Sequence, residues 1–397
     1  MSSDDEAEQF VGDEQGLHGD SHEVADLTGA DEAPLDEEDS DNENDTGMPE
    51  NSHDAHDDSV HTFEGHTGAV FAVAWSPTSN LVATGGADDR VFLWQVGDET
   101  GASTAELCGH TDTVASLRFN MSGTLLASGG LDGHVGIWDT AAGACRHSLE
   151  GPGGAIEWVD WHPRGDIVLA GSEDFTAWLW NAQTAACMQV FTGHSGPVRC
   201  GRFTPDGKLV VTGGGEYDAS LRVWDPKTGT CVRTMQGQQF HPTGLTALDV
   251  HADSSIVLTG AEDGSACLTN IQTGRLLGRL AGHTDSIETV RMSPSMPYSA
   301  TGSVDGNLII WDNTSLSVRS TCTHPEAVVR LVLHPSQPLV YTACLDGVAR
   351  CWDARTGTCT QQWSGHQEGI QDIAVSMDGN SVITGSDDNT ARVFTIG

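Results

Sequence analysis

Short runs in which apolar and polar residues alternate extend from about residue 60 to the C-terminus, and most of them end in a cluster of Gly, Ser or Asp. Residues 109–139 show the unit clearly: two alternating runs lie between Gly109-His110 and Trp138-Asp139. Alternation at period two is typical of half-buried strands, and the polar clusters are typical of tight turns. One such unit leaves apolar surface uncovered on both faces, so we expect it to be repeated.

The unit does repeat, at intervals of 41 to 45 residues. In each repeat a turn Asp is followed six positions later by a residue that is usually Trp. The pairs are Asp88/Trp94, Asp132/Trp138, Asp174/Trp180, Asp218/Trp224, Asp263/Thr269, Asp305/Trp311, Asp346/Trp352 and Asp388/Phe394. This period, with Gly-His early and Trp-Asp late, resembles the WD40 repeat, a four-stranded blade of a β-propeller. The resemblance predicts an all-β, eight-bladed propeller.

The two ends of the repeat region indicate how the ring closes. Val60-His61-Thr62-Phe63 precedes Gly65-His66, where the other repeats have their fourth strand, and the chain ends at Gly397 in the third strand of the last blade. We therefore expect residues 60–63 to complete that blade, which would remove an exposed sheet edge.

A set of polar residues that recurs along the chain resembles a catalytic site, but its repetition predicts a structural role. In most repeats a His lies 22 residues before the turn Asp, and a Ser or Thr lies four before it. A converging Ser, His and Asp could indicate a hydrolase, but an enzyme needs one such site, whereas this set recurs in blade after blade with Trp as a fourth member. The set resembles the hydrogen-bond network inside WD40 blades. Its predicted members are His66, Thr84, Asp88, Trp94, His110, Ser128, Asp132, Trp138, His194, Thr212, Asp218, Trp224, His283, Thr301, Asp305, Trp311, His324, Thr342, Asp346, Trp352, His366, Thr384 and Asp388.

Three repeats depart from this pattern. The third has Pro152 and Ala170 in place of His and Ser/Thr, the fifth has Thr269 in place of Trp, and the eighth has Phe394. Blades 3 and 5 are therefore expected to have weaker internal networks, and they are the places where we expect function to have displaced structure.

Charge divides the chain once, near Asp58. Residues 1–58 contain 22 Asp or Glu and no Lys or Arg, and the rest carries 35 acidic against 18 basic side chains. Low apolar content and charge of one sign predict a disordered acidic tail over 1–58, followed by the propeller over 59–397. The tail is either a solvated segment that aids solubility or an electrostatic lure for basic partners. The acidic start does not resemble a signal peptide, and no apolar run approaches the ~18 residues of a membrane span.

The ten cysteines indicate a reducing compartment. None forms a Cys-x-x-Cys pair, so neither structural zinc nor another metal or cofactor is expected. Cys145, Cys187, Cys231 and Cys359 occupy equivalent places, which we assign to the fourth strand. We interpret all ten as reduced thiols of a cytoplasmic protein, and nuclear shuttling stays open.

Candidate binding positions follow from the register of the first strand of each repeat. Taking the residue four after the His as buried, the neighbouring positions and the residue before the turn Asp approach one face of the ring. Acidic and aromatic residues predominate there, and acids two after the His extend the set; Arg199 is the basic exception. The predicted partner-binding residues are Phe71, Asp112, Glu157, Glu173, Tyr217, Glu262, Asp285, Glu288, Glu326, Glu368 and Asp387. We interpret the face as a docking site for a basic peptide; the alternative is that an acidic propeller has acids everywhere.

Two segments carry a narrower resemblance. IEWVDWHP at 156–163, with Trp178 and Trp180, resembles the third repeat of the angio-associated migratory cell protein family, and CLDGVAR at 344–350 resembles its seventh. The likeness covers all eight repeats and includes an acidic N-terminal extension. It implies one of two roles. Animal members of the family are linked to cell migration. The fungal relative is a ribosome-assembly chaperone that holds the basic N-terminal segment of a new large-subunit ribosomal protein on an acidic propeller face.

Two function classes therefore stand. The first is a non-enzymatic chaperone that shields a basic ribosomal protein during assembly of the 60S subunit, acting as a monomer without direct contact with nucleic acid or membrane. The second is a scaffold that presents partners in signalling or to a ubiquitin ligase. An enzyme is not expected, because no isolated nucleophile–base pair, P-loop or metal constellation occurs. The sequence leaves open the identity of the partner and whether the tail touches it.

Overall fold

The computed structural model describes residues 56–97 and 105–397. The predicted disordered tail therefore lies outside the described residues, except for its last three positions. The described chain contains 32 β-strands, arranged in eight four-stranded antiparallel sheets. The prediction of an all-β, eight-bladed propeller is confirmed.

The strands follow the repeats in chain order. The first, β1 (His61–Phe63), precedes blade 1, which contains β2 (Val70–Trp75), β3 (Leu81–Gly86), β4 (Val91–Gln95) and β5 (Ala105–Leu107). Blade 2 contains β6 (Val114–Phe119), β7 (Leu125–Gly130), β8 (Val135–Asp139) and β9 (Ala144–Leu149). Blade 3 contains β10 (Ile156–Trp161), β11 (Ile167–Ser172), β12 (Thr176–Asn181) and β13 (Ala186–Thr192). Blade 4 contains β14 (Val198–Phe203), β15 (Val210–Gly214), β16 (Leu221–Trp224) and β17 (Cys231–Met235).

The second half continues in the same way. Blade 5 contains β18 (Leu245–Val250), β19 (Ile256–Ala261), β20 (Ala266–Asn270) and β21 (Arg275–Leu280). Blade 6 contains β22 (Ile287–Met292), β23 (Tyr298–Ser303), β24 (Asn307–Asp312) and β25 (Ser317–Thr323). Blade 7 contains β26 (Val328–Leu333), β27 (Leu339–Cys344), β28 (Ala349–Asp353) and β29 (Cys359–Trp363). Blade 8 contains β30 (Ile370–Val375), β31 (Ser381–Ser386) and β32 (Ala391–Thr395), with β1 as its fourth strand.

Burial depends on the position of a strand within its blade. The second strands are almost entirely buried, as in β7, where all six residues are inaccessible. The fourth strands are largely exposed, as in β9. The second strand is covered on both faces because the sheets stack around the ring and each blade lies between two others. Alternation in the sequence thus marks the strands correctly, while half-burial is too low an expectation for the middle of a blade.

Hydrogen bonds between the first strands tie neighbouring blades together around the centre of the ring. In each, a backbone N–H donates to a polar side chain of the preceding blade. The donor–acceptor distances are 3.2 Å from Val159 to Ser116, 3.0 Å from Phe203 to Asp160, 2.8 Å from Met292 to Asp249, 3.3 Å from Leu331 to Thr289 and 2.9 Å from Val73 to Asp372. The last of these joins blade 8 to blade 1.

Ring closure by the N-terminal strand is confirmed. β1 pairs antiparallel with β32, with His61 opposite Val393, and the Val60 N–H donates to the Val393 carbonyl at 2.8 Å. No other blade receives its fourth strand from the opposite end of the chain. Because this strand is distant in sequence from the rest of blade 8, the first and last strands of the repeat region hold each other in place.

The predicted boundary of the tail at residue 58 needs a correction, because Asp57 and Asp58 already contact the propeller. The Asp58 N–H donates to the Ser364 carbonyl at 2.9 Å, and the Ser364 N–H donates to the Asp58 carboxylate at 2.8 Å. Asp57 forms an ion pair with Arg392, whose side chain is largely buried. These two acids belong to the propeller, because a buried guanidinium and a strand-end amide need acceptors that only the incoming chain supplies.

Candidate partner-binding face

The recurrent His, Ser/Thr, Asp and Trp residues meet inside the blades, and blade 2 shows the arrangement. Trp138 Nε1 donates to Ser128 Oγ at 2.8 Å, His110 Nε2 lies 2.7 Å from the same hydroxyl, and His110 Nδ1 lies 3.0 Å from Asp132. Burial lowers the pKa of His110 although the Asp132 carboxylate opposes this. A neutral imidazole therefore donates from Nδ1 to Asp132 and accepts from Ser128 at Nε2.

The same contacts occur in blades 4 and 6, around His194 and His283. Ser128, Thr212 and Thr301 have no exposed surface, so a substrate has no path to these hydroxyls. In blade 8, His366 reaches Asp388 and Thr384, and Phe394 supplies no donor. The geometry is that of a structural network.

Blades 1 and 7 differ from the prediction. Trp94 Nε1 has no hydrogen-bond partner, and the Trp94 ring instead stacks on Phe63 of β1, with centroids 5.1 Å apart. In blade 7, Asp346 accepts from both terminal nitrogens of Arg350, at 2.6 and 3.1 Å, and His324 Nδ1 turns to the Cys322 carbonyl at 3.2 Å. A charged two-pronged donor competes successfully with a neutral imidazole for the carboxylate.

Blades 3 and 5 depart from the pattern in different ways. In blade 5, Ser265 relays the contact: His241 Nδ1 lies 2.8 Å from its hydroxyl, which donates to Asp263 at 2.6 Å. His241 also keeps its contact with Thr259 at 2.7 Å, so this network survives, while the Thr269 hydroxyl is left without a partner. In blade 3, Asp174 accepts from the Gly153 N–H at 2.7 Å and no His takes part.

These contacts predict different costs for two equivalent substitutions. Asp132→Ala removes acceptors from a neutral histidine and should lower the free energy of unfolding by about 1–3 kcal/mol. Asp346→Ala leaves the Arg350 guanidinium, whose side chain is 11 % exposed, without its carboxylate and should cost about 3–5 kcal/mol. Urea unfolding of both variants, with exposed Glu150→Ala as the control, measures the difference. Equal losses would show that the Arg350 ion pair adds nothing.

The candidate partner-binding face is the mouth of a central cavity of about 580 Å³. Of the predicted residues, Phe71, Glu157, Glu262 and Glu288 line this cavity together with Arg199. Glu157 and Glu288 are the second residues of β10 and β22. A β-bulge at each position leaves the residue without a paired residue in the next strand.

The other predicted residues lie outside the cavity lining. Glu173 adjoins Glu157, and Tyr217 is 92 % exposed at a φ of 70° on the loop after β15. Asp112 and Asp285 accept from the next backbone N–H in their own loops, and Asp387 accepts from Gln371 at 2.7 Å. Glu326 and Glu368 are exposed on neighbouring loops.

The charge of the mouth is unbalanced. Arg199 Nη1 donates to Glu157 at 2.9 Å, whereas Glu262 and Glu288 take part in no ion pair within the described chain. Burial raises the pKa of Glu157; Arg199 opposes this shift and Glu173 reinforces it. Arg330, the second arginine of the lining, lies 3.5 Å from Asp372, so a cation that enters the mouth finds two glutamates without a basic partner.

Neutral residues of the mouth escaped the sequence analysis. Ala115, Thr246, Val329 and Gln371 occupy the same register as Glu157, and Leu131 precedes its turn Asp. The repeat register places these residues at the mouth, but only acidic and aromatic residues in that register were predicted to bind a partner. Their positions show that the acids are concentrated on blades 3, 5 and 6, while blades 1, 2 and 7 contribute apolar surface.

Three further features of the described residues concern metal ligands, membrane-spanning helices and cysteines. Across residues 56–97 and 105–397, no three or more His, Cys, Asp or Glu side chains are grouped as metal ligands would be. The same part of the chain contains no helix that is long and apolar enough to cross a membrane. All ten cysteines are free, and Cys145, Cys187, Cys231 and Cys359 lie in the outermost strands β9, β13, β17 and β29.

Comparison with known proteins matches both the repeats and the whole ring. The family model described as "WD domain, G-beta repeat" matches residues 57–95, 101–139, 143–181, 185–225, 229–270, 274–312, 316–353 and 357–395. The chain is 33 % identical over 356 residues to the angio-associated migratory cell protein of Homo sapiens, which covers 86 % of this chain and 80 % of the relative.

Solved structures with the same ring include Sqt1 from Chaetomium thermophilum, at 26 % identity and a TM-score of 0.79 over 86 % of this chain and 100 % of that one. A second structure of Sqt1 from the same organism, bound to the N-terminus of the ribosomal protein L10, has 26 % identity and a TM-score of 0.78 over the same shares.

Proposed function

Because the chain belongs to the angio-associated migratory cell protein family of WD40-repeat proteins, we propose that it is a non-enzymatic chaperone for a basic ribosomal protein. Its cargo is the Lys/Arg-rich N-terminal segment of a newly made large-subunit protein, held in the mouth of the propeller during 60S assembly. The observation that carries the proposal is the mouth itself, where Glu262 and Glu288 have no ion-pair partner in the described chain. The two arginines of its lining are already paired, Arg199 with Glu157 and Arg330 with Asp372.

The physical need for such a chaperone follows from the chemistry of its cargo. A ribosomal protein is built to bind phosphate backbones, so its free form binds nucleic acid of any sequence. A concave acidic mouth competes with nucleic acid for the same lysines and arginines, and its field accelerates capture. The apolar surface of blades 1, 2 and 7 beside the acids lets the mouth hold a peptide and not only a cation.

The likeness to Sqt1 supports this choice of cargo, since one Sqt1 structure contains the N-terminus of the ribosomal protein L10. Under this proposal the chain acts as a monomer in the cytoplasm, where ribosomal proteins are made, and does not itself contact nucleic acid or membrane. The partner-binding residues are the mouth residues together with Asp112, Glu173, Tyr217, Asp285, Glu326, Glu368 and Asp387 around it.

A second candidate is a scaffold that presents partners in signalling or to a ubiquitin ligase. The observation in its favour is the higher identity to the human relative, 33 % against 26 % for Sqt1. The name of that relative refers to migratory cells. A propeller fold alone does not decide between the two roles.

The deciding experiment isolates the newly translated chain at low salt and identifies co-purified proteins by mass spectrometry. We expect one large-subunit ribosomal protein to be enriched, and isothermal titration of its N-terminal peptide to show tight binding at 50 mM salt that weakens severalfold at 300 mM. Kinases or ligase adaptors in place of a ribosomal protein would support the scaffold. If binding of the peptide did not depend on salt, the acidic residues of the mouth would not be what holds it.

A further inference from the structure

A second cavity of about 120 Å³ adjoins the mouth and has the opposite charge. Five arginines and three carboxylates line it: Arg118, Arg199, Arg202, Arg291 and Arg330 with Glu157, Asp160 and Glu288, of which Glu157, Arg199, Glu288 and Arg330 are shared with the mouth. Arg118 lies three residues beyond the mouth residue Ala115 along β6, which places it about 10 Å further along the strand. The acidic mouth thus gives way to a layer of arginines inside the ring.

The layer is regular in sequence and in space. The next-to-last residue of the first strand is charged in five consecutive blades, and its sign alternates from blade 2 to blade 6. These residues are Arg118 in β6, Asp160 in β10, Arg202 in β14, Asp249 in β18 and Arg291 in β22. Blades 7 and 8 add Arg330 and Asp372 two positions earlier in their first strands.

The three aspartates of this layer already have partners. Asp160 accepts from the Phe203 N–H at 3.0 Å, and Asp249 accepts from the Met292 N–H at 2.8 Å and forms an ion pair with Arg202. Asp372 accepts from the Val73 N–H at 2.9 Å and lies 3.5 Å from Arg330 Nε. Their carboxylates are therefore committed to joining the blades and to two of the four arginines.

The other two arginines have no carboxylate. Within the described chain the Arg118 side chain makes no hydrogen bond or ion pair, and Arg291 donates only to the Val290 carbonyl, at 2.9 Å. Their place inside the ring lowers the pKa of both; Asp372 and Asp160 oppose the shift for Arg118, and Asp249 opposes it for Arg291, whose pKa falls to about 10. Arg118 is exposed to the cavity, so its guanidinium is accessible to a ligand. The neighbouring arginines repel one another, and an anion in the cavity would add to the compensation that the carboxylates give.

We propose that this arginine layer is a binding site for a small oxyanion, a phosphate or a carboxylate. Guanidinium groups bind both ions through paired N–H donors, and Arg118 and Arg291 have such donors to offer. The cavity has a volume of about 120 Å³, against about 580 Å³ for the mouth, which favours a small ion over a nucleotide. The glutamates of the neighbouring mouth also repel polyanions, which favours a ligand of low charge.

The test measures the melting temperature of the full chain while sodium phosphate or sodium acetate replaces sodium chloride at constant ionic strength. We expect one of the two anions to raise the melting temperature in a saturable way; a larger effect of phosphate identifies a tetrahedral ligand, and a larger effect of acetate identifies a carboxylate. Isothermal titration with the same anion gives its affinity directly. If neither anion binds, the proposal is wrong.

Variants separate the site from general screening of charge. Arg118→Met should weaken the binding of the anion roughly tenfold or more, and Arg291→Lys, which keeps the charge but loses the fork, should weaken it less. Since both changes relieve repulsion or preserve charge, neither should lower the melting temperature in chloride. Arg233→Met, on the exposed surface of β17, is the matched control and should bind as the wild type does. Equal anion binding by Arg118→Met and wild type would overturn the proposal.

Discussion

Removal of residues 1–66 should abolish the stable monomer, whereas removal of residues 1–55 should leave its melting temperature unchanged. The longer deletion takes away β1 and His66, so β32 becomes an unpaired edge and Trp94 loses the Phe63 ring that covers it. An exposed edge strand also invites pairing between molecules, so we expect aggregation as well as unfolding. The shorter deletion retains every described contact of β1.

An intermediate deletion isolates the two acids that anchor the closing strand. Removal of residues 1–58 keeps β1 but takes away the ion pair between Asp57 and Arg392 and both hydrogen bonds between Asp58 and Ser364. We expect a folded protein with about 2–4 kcal/mol less stability, because the buried Arg392 loses its carboxylate. Thermal unfolding followed by circular dichroism, with light scattering for aggregation, ranks the three truncations. Equal midpoints for all three would mean that the N-terminal strand does not close the ring.

Repetition explains why the fold was predictable. A tight turn before Asp132 or a Trp-Asp pair at 138–139 is weak evidence alone, but the same spacing in eight repeats leaves few other architectures. Closure was predictable for the same reason, since the last repeat lacks a strand and residues 60–63 supply one. Asp57 and Asp58 were assigned to the tail because their acidic composition continues that of residues 1–55, and composition does not report an ion pair with a residue more than 300 positions away.

Contacts that depend on competing donors or on several blades together were harder to foresee than the contacts of the repeated network. The register predicted that His110, Ser128 and Asp132 meet, because all three belong to one repeat. It did not predict that Arg350 would take Asp346 from His324, since that outcome depends on competition between two donors. The alternation from Arg118 to Arg291 is visible in the sequence, but it acquires meaning only once the structure shows that four of these five residues line one cavity.

The candidate site was likewise predictable only in part. The register brought Phe71, Glu157, Glu262 and Glu288 to the mouth, because strand period and repeat period together fix which positions share a face. It could not separate the residues that line the cavity from those, such as Tyr217, that lie on the loops around it. Loop direction depends on local backbone geometry, and the positive φ of 70° at Tyr217 is not encoded by a period.

Reversal of Glu157 and Glu288 to Lys should abolish binding of the basic cargo segment without unfolding the propeller. Both side chains are half-buried at the mouth, and both residues lie at a β-bulge, outside the regular strand pairing. Loss of a charge partner at such an interface costs about 2–5 kcal/mol, and reversal adds repulsion. The Glu157 change also frees Arg199, which would then add its own positive charge to the mouth. Together these effects predict at least a thousandfold loss of affinity, on the order of 4 kcal/mol or more.

The matched control makes the same change of charge in the acidic N-terminal segment, at Glu37 and Glu38. This control should slow association and leave dissociation almost unchanged if the tail acts only by electrostatic attraction, because attraction at long range changes the rate of encounter more than the rate of release. Isothermal titration calorimetry and stopped-flow kinetics with the N-terminal peptide, at 50 and 300 mM salt, distinguish the two variants. A face reversal that binds as tightly as wild type would show that Glu157 and Glu288 are solvated surface acids and that the cargo docks elsewhere on the ring.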